Sequence, residues 1–409
     1  MISTVQQLME KGVKVHCPET VDLGPDVNLD RISGDGVVIY PGCRIYGSST
    51  LILQGAKLGY EGPVTIEDCY IAPRVQLNGG FFRRSTFLEG AAMGLNAHVR
   101  EGTILEEYAS GAHSAALKQT ILFPFVTLGS LINFCDCLMA GGTSRKNHSE
   151  VGSSYIHFNF TPNHDKATAS LLGDIPRGVM LNQPPIFLGG QGGLVGPCRL
   201  EYGAVVAAGS ICRKDEFRPD RMILEGNGKS LNLPFYRGLH LTLKRIMVNN
   251  IVYIANLMAL MQWYVHIRSQ FVNHDFTSEL YDGLRETLQI AIQERIARLM
   301  AYCRNLSVHG VPQTIQAHRQ VEVFNNCSQM ERLFLMKNDY SGDSLLREGF
   351  QEGVCRGIRE KNKEYLAVIQ GFSDKEREMG TKWLQGIVDH ITEEALNIFP
   401  LLTATGVMK

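Results

Sequence analysis

The sequence predicts a β-solenoid, in particular a left-handed parallel β-helix, followed by an α-helical region. Three observations carry that expectation. Through the first two hundred residues a branched apolar side chain returns every six positions, 12 of the 15 prolines precede residue 220, and beyond Pro234 the apolar residues recur at steps of three and four. A six-residue period fits neither an amphipathic helix, which repeats at about 3.6 residues, nor a strand, which alternates. It fits a triangular coil in which each flat side takes one hexapeptide and turns its aliphatic residue inward.

Along the chain, residues 1–12 predict a helix or arm ahead of the coils. Residues 13–215 predict the solenoid. Ile39, Ile45 and Leu51 keep the spacing, as do Leu58 with Val64, Ile71 with Leu77, then Leu122, Leu128, Phe134 and Ala140, and finally Leu188, Leu194, Leu200 and Val206. About three hexapeptides per coil give on the order of ten or eleven coils, and the 41 glycines suit tight corners. Residues 144–177 have few evenly spaced aliphatics and predict a loop excursion, the kind of segment on which chemistry is placed. Residues 216–234 predict a linker. Its GNGKS stretch, 226–230, reads as a hinge, because a phosphate-binding loop needs glycine where Ile223 stands. Residues 235–409 predict a bundle of about five or six helices. Leu243, Met247, Val248, Ile251, Ile254, Leu257, Met258 and Met261 mark one stripe, and Leu284, Leu288, Ala291, Ile292, Ile296 and Leu299 a second. Ser373 with Glu376 forms a capping box that opens a helix toward Leu396.

Composition narrows the function. With 40 Lys+Arg against 41 Asp+Glu the chain has no charge for an electrostatic grip on nucleic acid or an acidic membrane. Ten scattered cysteines without a CxxC pair suit a reduced, cytoplasmic protein, and the N-terminus lacks the basic and apolar regions of an export signal. Ile246–Ile267 contains no Asp, Glu, Lys or Arg and is long enough to span a membrane, but it carries Asn249, Asn250, Asn256, Gln262 and His266 and reads as a buried helix.

Residues 186–210, IFLGGQGGLVGPCRLEYGAVVAAGS, bring a family into view. They resemble the last coils of the bacterial glucosamine-1-phosphate acetyltransferase domain, the hexapeptide-repeat half of a bifunctional acetyltransferase and uridylyltransferase. Phe187 to Gly190, Leu194 to Pro197 and Ala207 to Ser210 carry the likeness without a gap. Upstream, Asn159, Phe160, Thr161 and Pro162, with Lys166 and then Leu172, Gly173 and Asp174, look like the family's Asn-Tyr-Asp-Gly loop with its lysine and Ile-Gly-Asp run. Ser144, Arg145, Lys146, Asn147 and His148 look like its run into the catalytic histidine. Three positions depart: Asn147 replaces a glycine, Phe160 a tyrosine and Gly190 a serine, and Asn159 follows His148 by only 11 positions. No LxxGxGTRM-like loop begins the chain, so the uridylyltransferase reaction is not expected.

The resemblance implies acyl transfer from acetyl-CoA, as co-substrate, to an amino group of a sugar phosphate or nucleotide sugar. His148 would be the general base and Asn159 would orient the amine or thioester. Arg145, Lys146 and Lys166 would neutralise a phosphate. Phe160, Gly189, Gly190 and Ala208 would meet the pantetheine arm, and Arg213 and Lys214 the coenzyme phosphates. It also implies a homotrimer with sites between subunits. Two alternatives stay open. The substitutions at Asn147, Phe160 and Gly190 suit a non-catalytic sugar-nucleotide-binding regulator or scaffold. His113, His148, His157 and His164 suggest a metal site like that of the γ-type carbonic anhydrases, which use the same solenoid.

Overall fold

The computed structural model describes residues 3–163, 165–225, 242–306 and 315–404. The GNGKS stretch, Pro234 and His164 lie outside the described residues. Short strands wind into a three-sided parallel β-helix, and each strand pairs with its counterpart one coil away. Face A has eleven strands, from Lys14–Val15 to Met222–Ile223. Face B has ten, from Asp22–Leu23 to Ile211–Cys212, and face C has eight, from Leu51–Ile52 to Arg199–Leu200. Helix α1 (Thr4–Lys11) precedes the first coil. Ser3 caps its start, Gly12 ends it at φ +113°, and Leu8 is buried.

The six-residue rhythm comes from the inward columns. Leu188, Leu194, Leu200 and Val206 are all buried and occupy faces A, B, C and A in turn. Two positions sit one residue off. The ladder pairs Ile52 with Ile71 and Leu122 with Met139, so Ile52 and Met139 point inward where the spacing marked Leu51 and Ala140. Corners vary in length by a residue, which shifts the period locally without breaking the coil.

Residues 144–177 are not one excursion. Glu150–Val151, Ile156–Phe158 and Ser170–Leu172 take their places on faces A, B and C. Between them the chain leaves the coil in three short departures. The first is an antiparallel hairpin of Gly142–Ser144 with Asn147–His148 at the C–A edge. The second is residues 159–169 at the B–C edge. The third carries helix α2 (Ile175–Gly178) before the chain rejoins face A at Phe187. The insertions, and a histidine at the inward position 157, hid the repeat. Nor do residues 216–223 form a linker. Met222–Ile223 pairs with Val205–Val206 and adds a further rung.

Beyond Thr242 come α3 (Leu243–His266), α4 (Ser278–Arg304), α5 (Ile315–Lys337), α6 (Ser344–Glu360), α7 (Tyr365–Gln370), α8 (Asp374–Asn397) and α9 (Pro400–Thr403). That makes seven among the described residues. Two are too short to leave a periodic signal, so periodicity alone counts five or six. The capping box at Ser373 and Glu376 starts α8. Helix α3 packs on α4, α8 and the solenoid, and 89% of its most apolar window is buried within the fold. Its asparagines explain the fit. Asn250 donates to the Ala167 carbonyl at 2.9 Å, Asn249 to Asp215 at 3.0 Å, and Asn256 accepts from the Ile175 amide at 2.9 Å. Polar groups that burial would otherwise leave unpaired thus meet the solenoid backbone and the Asp215 carboxylate.

Helix α4 lies across face C, against Tyr70–Ile71, Ser85–Phe87 and Thr103–Leu105. Gly283 makes the close approach possible, because a Cβ there would fall 2.2 Å from the Tyr70 ring. Thr86 and Thr287 share a hydroxyl hydrogen bond at 2.7 Å, and Tyr70 donates to Glu286 at 2.6 Å.

Candidate functional site

The hairpin at the C–A edge holds His148. Its imidazole Nδ1 lies 2.9 Å from the Arg145 carbonyl. A carbonyl oxygen only accepts, so Nδ1 is the donor in this bond. Nε2 is 3.7 Å from the Glu150 carboxylate, near enough to stabilise the ring once it gains a proton, and the side chain is 22% exposed. The hairpin is fixed by Ser144, whose hydroxyl accepts from the Lys146 and Asn147 amides, and by the Gly142 amide bonded to the Gln183 carbonyl at 3.0 Å. From the helical side, Gln370 donates to the Thr143 carbonyl at 2.6 Å. This edge therefore presents a histidine whose ring is oriented by the hairpin backbone, with Nε2 on the side of Glu150.

Arg145 and Lys146 share the hairpin and are exposed. The Arg145 guanidinium lies 4.2 Å from the centroid of the Tyr108 ring, a cation–π contact.

The other predicted residues lie on different edges. Asn159 follows the face B strand, at the B–C edge. Its amide donates to Asp136 at 2.6 Å, and Asp136 pairs with Arg295 of α4 at 2.7 Å with both side chains almost fully buried. Phe160 and Lys166 are exposed on the same loop. Gly189, Gly190 and Ala208 stack at the A–B edge. A Cβ on Gly189 would lie 2.3 Å from the Ala208 amide nitrogen, and one on Gly190 would lie 2.8 Å from the Ser153 carbonyl. Coil stacking by itself thus requires these glycines. Arg213 and Lys214 are exposed after the last face B strand, and Arg213 donates to the Ile211 carbonyl at 3.0 Å. One copy of the chain brings His148, Arg145 and Lys146 together and keeps Asn159, Lys166 and the glycines apart from them.

The histidines proposed for a metal are likewise separated. His113 sits at the A–B edge against Ser130, and His157 faces the solenoid interior. There Nδ1 donates to the Cys135 carbonyl at 2.6 Å, and Ser170, which accepts from the Cys198 amide, donates to Nε2 at 2.8 Å. Burial, above all, pushes the His157 ring down to about 4. It is a fully bonded neutral core residue. Among the described residues no group of three His, Cys, Asp or Glu side chains could hold a metal ion.

Sequence reasoning missed Asp136, Arg295, Glu107 and Arg268, buried charges that join the solenoid to the helices. The adjacent pair Glu106–Glu107 inside an apolar repeat was the available signal, since buried carboxylates need a partner.

Fold and edge together describe a hexapeptide-repeat solenoid similar to those of sugar acyltransferases, with a histidine presented on one edge and helices covering one face. Three curated relatives make the likeness particular. The chain is 26% identical over 210 residues to the bifunctional protein GlmU of Trichlorobacter lovleyi, covering 51% of this chain and 40% of that protein. It is 26% identical over 232 residues to GlmU of Nitratidesulfovibrio vulgaris, covering 55% and 44%, and 26% over 212 residues to GlmU of Thermotoga maritima, covering 52% and 42%. The match spans less than half the length of these relatives. No family model matches the chain.

Proposed function

We propose that this protein transfers an acyl group from acetyl-CoA to an amino group on a sugar phosphate or nucleotide sugar, with His148 as general base. The observation that carries this reading is the His148 ring, held through Nδ1 by the Arg145 carbonyl so that Nε2 stays outside that bond. The likeness to the GlmU proteins supports the substrate class. In the reaction the amine nitrogen attacks the thioester carbonyl carbon, the C–N bond forms and the C–S bond breaks. The amine proton passes to Nε2, which hands it on to the departing sulfur, so that coenzyme A leaves as the thiol and the ring is restored.

Arg145, Lys146 and Lys166 take the phosphate of the acceptor, and Asn159 orients the reacting groups. Phe160, Gly189, Gly190 and Ala208 flank the pantetheine arm, and Arg213 and Lys214 meet the coenzyme phosphates. Because these residues lie on three edges, the reading requires neighbouring copies. In a cyclic homotrimer one edge of a subunit faces a different edge of the next, which puts separate corners into one cleft. The setting is the cytoplasm.

A thiol-release assay with acetyl-CoA and a set of amino-sugar phosphates tests this. His148→Ala is expected to lower turnover about a hundredfold or more with unchanged melting temperature. Unchanged turnover removes the base from the mechanism, and a monomer in sedimentation removes the shared cleft.

A second reading is a non-catalytic sugar-nucleotide-binding regulator. It is favoured by the engagement of Asn159 with Asp136 and of Arg145 with Tyr108. Thermal stabilisation by a UDP-sugar without thiol release selects it.

A further inference from the structure

A second cleft opens where the C–A edge of the solenoid meets the helical region, and it adjoins the hairpin through Tyr108, on whose ring the Arg145 side chain stacks. It encloses about 470 Å³. Glu107 and Arg268 form its floor, each more than nine-tenths buried, and the Arg268 Nη2 pairs with the Glu107 Oε1. The guanidinium is sandwiched between the rings of Tyr365, at 3.7 Å, and Phe276, at 4.7 Å. That leaves the rest of both groups unmet. Glu107 Oε2 and Arg268 Nε and Nη1 are buried without a hydrogen-bond partner among the described residues. Burying polar atoms in this way is unfavourable unless something completes their bonds.

The surroundings say what that something is. The floor charges cancel. Glu106 behind them is pushed up to about 7 by burial and then by Glu107, and accepts from the Tyr264 hydroxyl at 2.6 Å. At the rim Arg74 pairs with Glu89 at 2.6 Å and lies 3.7 Å from Asp275, while Lys363 donates to the Val272 carbonyl. An anion entering the cleft would meet the Glu107 carboxylate, and a cation would meet Arg268. A neutral polyol carries donors and acceptors together and suits both. Tyr108, Phe271, Phe276 and Tyr365 supply aromatic walls of the kind that line small-molecule sites.

We propose that this cleft binds a neutral, hydroxyl-rich molecule of monosaccharide size. One hydroxyl donates to Glu107 Oε2 and another oxygen accepts from Arg268 Nε or Nη1, which requires the side chains that cover these atoms to shift aside, with the sugar ring against the aromatic walls. The site is built by the solenoid and the helical region jointly, so it belongs to this chain's combination of the two.

Saturation-transfer NMR on the 409-residue chain with glucose, galactose and mannose tests the proposal. Glucose 6-phosphate and glucosamine serve as charged counterparts. Trp263 gives a second readout, because its indole donates to the Tyr365 hydroxyl at 3.0 Å. At least one neutral hexose is expected to bind saturably and to shift tryptophan emission. Phe276→Ala and Glu107→Gln are each expected to weaken it tenfold or more, with folding checked by circular dichroism. His148→Ala should leave it intact, which separates this cleft from the proposed acyl-transfer site. Should Glu107→Gln fail to fold, Phe276→Ala decides. The proposal is overturned if none of the three neutral sugars binds, if only a charged counterpart binds, or if folded Phe276→Ala binds as well as the parent.

Discussion

Faces A and C of the prism share one backbone and one inward column, yet they meet different surroundings. On face A the outward residues include Lys14, Lys57, Gln76, Ser110, Thr127 and Glu150, and burial alternates along each strand. On face C the outward column is Tyr70, Thr86, Ile104, Ile121, Leu138 and Leu171, and every residue of Ser85–Phe87, Thr103–Leu105, Cys137–Met139 and Ser170–Leu172 is buried. A sheet covered on both sides loses its polar alternation. On this side the apolar flank is hidden by helices of the same chain.

That contrast can be broken experimentally. The largest effect is expected where the covered side holds buried charge. Asp136→Ala leaves Arg295 buried and unpaired, and should cost about 3–5 kcal/mol in urea unfolding, whereas Lys57→Ala on face A should stay within about 0.5 kcal/mol. A small loss for Asp136→Ala would mean that the ion pair is not what fastens α4 to the solenoid.

The interior common to all faces gives the next effect, through pH. His157 ordinarily titrates near 6.5 and is pushed down to about 4 when folded. Between those values the unfolded chain binds a proton that the folded chain refuses. The stability is therefore complete above about pH 6.5 and falls as the pH drops toward 4, by about 3 kcal/mol in total. His157→Phe should flatten this part of the pH profile. An unchanged slope would assign it to other groups.

Two glycines sharpen the comparison further. Gly283→Ala puts a methyl group into the Tyr70 ring and should destabilise by about 1–3 kcal/mol, despite the better helix former. Gly386 in α8 is exposed, and a Cβ there would meet nothing within 4 Å, so Gly386→Ala should stabilise by about 0.5–1 kcal/mol. Equal effects from the two would contradict the close packing on face C. The smallest change in stability, within about 0.5 kcal/mol, is expected for His148→Ala on the C–A edge hairpin. A larger loss would give this histidine a structural duty.

Much of the architecture was legible residue by residue. Leu188, Leu194, Leu200 and Val206 announced successive faces, and Ser373 with Glu376 announced α8. The candidate site was less legible. The motif around Asn159 reads as chemistry, yet its amide is bonded to an aspartate that answers an arginine 159 positions further on. Gly189 and Gly190 read as room for a ligand, yet the coil itself needs them bare. His157 reads as a metal ligand because the strand register that turns it inward is masked by the insertions around it.

By itself, then, the sequence determined the coil, its three sides, the helical character of the C-terminal region and a histidine set on a departure from the repeat. Those features depend on backbone hydrogen bonds and side-chain contacts between neighbouring rungs, and a short window records them. Tertiary structure decided which face is covered, that the Asn159 loop is tied to Asp136 while the His148 hairpin is held by Gln370, and that Glu107 and Arg268 share a cleft. These outcomes rest on contacts between residues far apart in the chain, such as Thr86 with Thr287 across 201 positions. No local periodicity encodes such a pairing, because either partner alone looks like any other polar residue on a strand or helix.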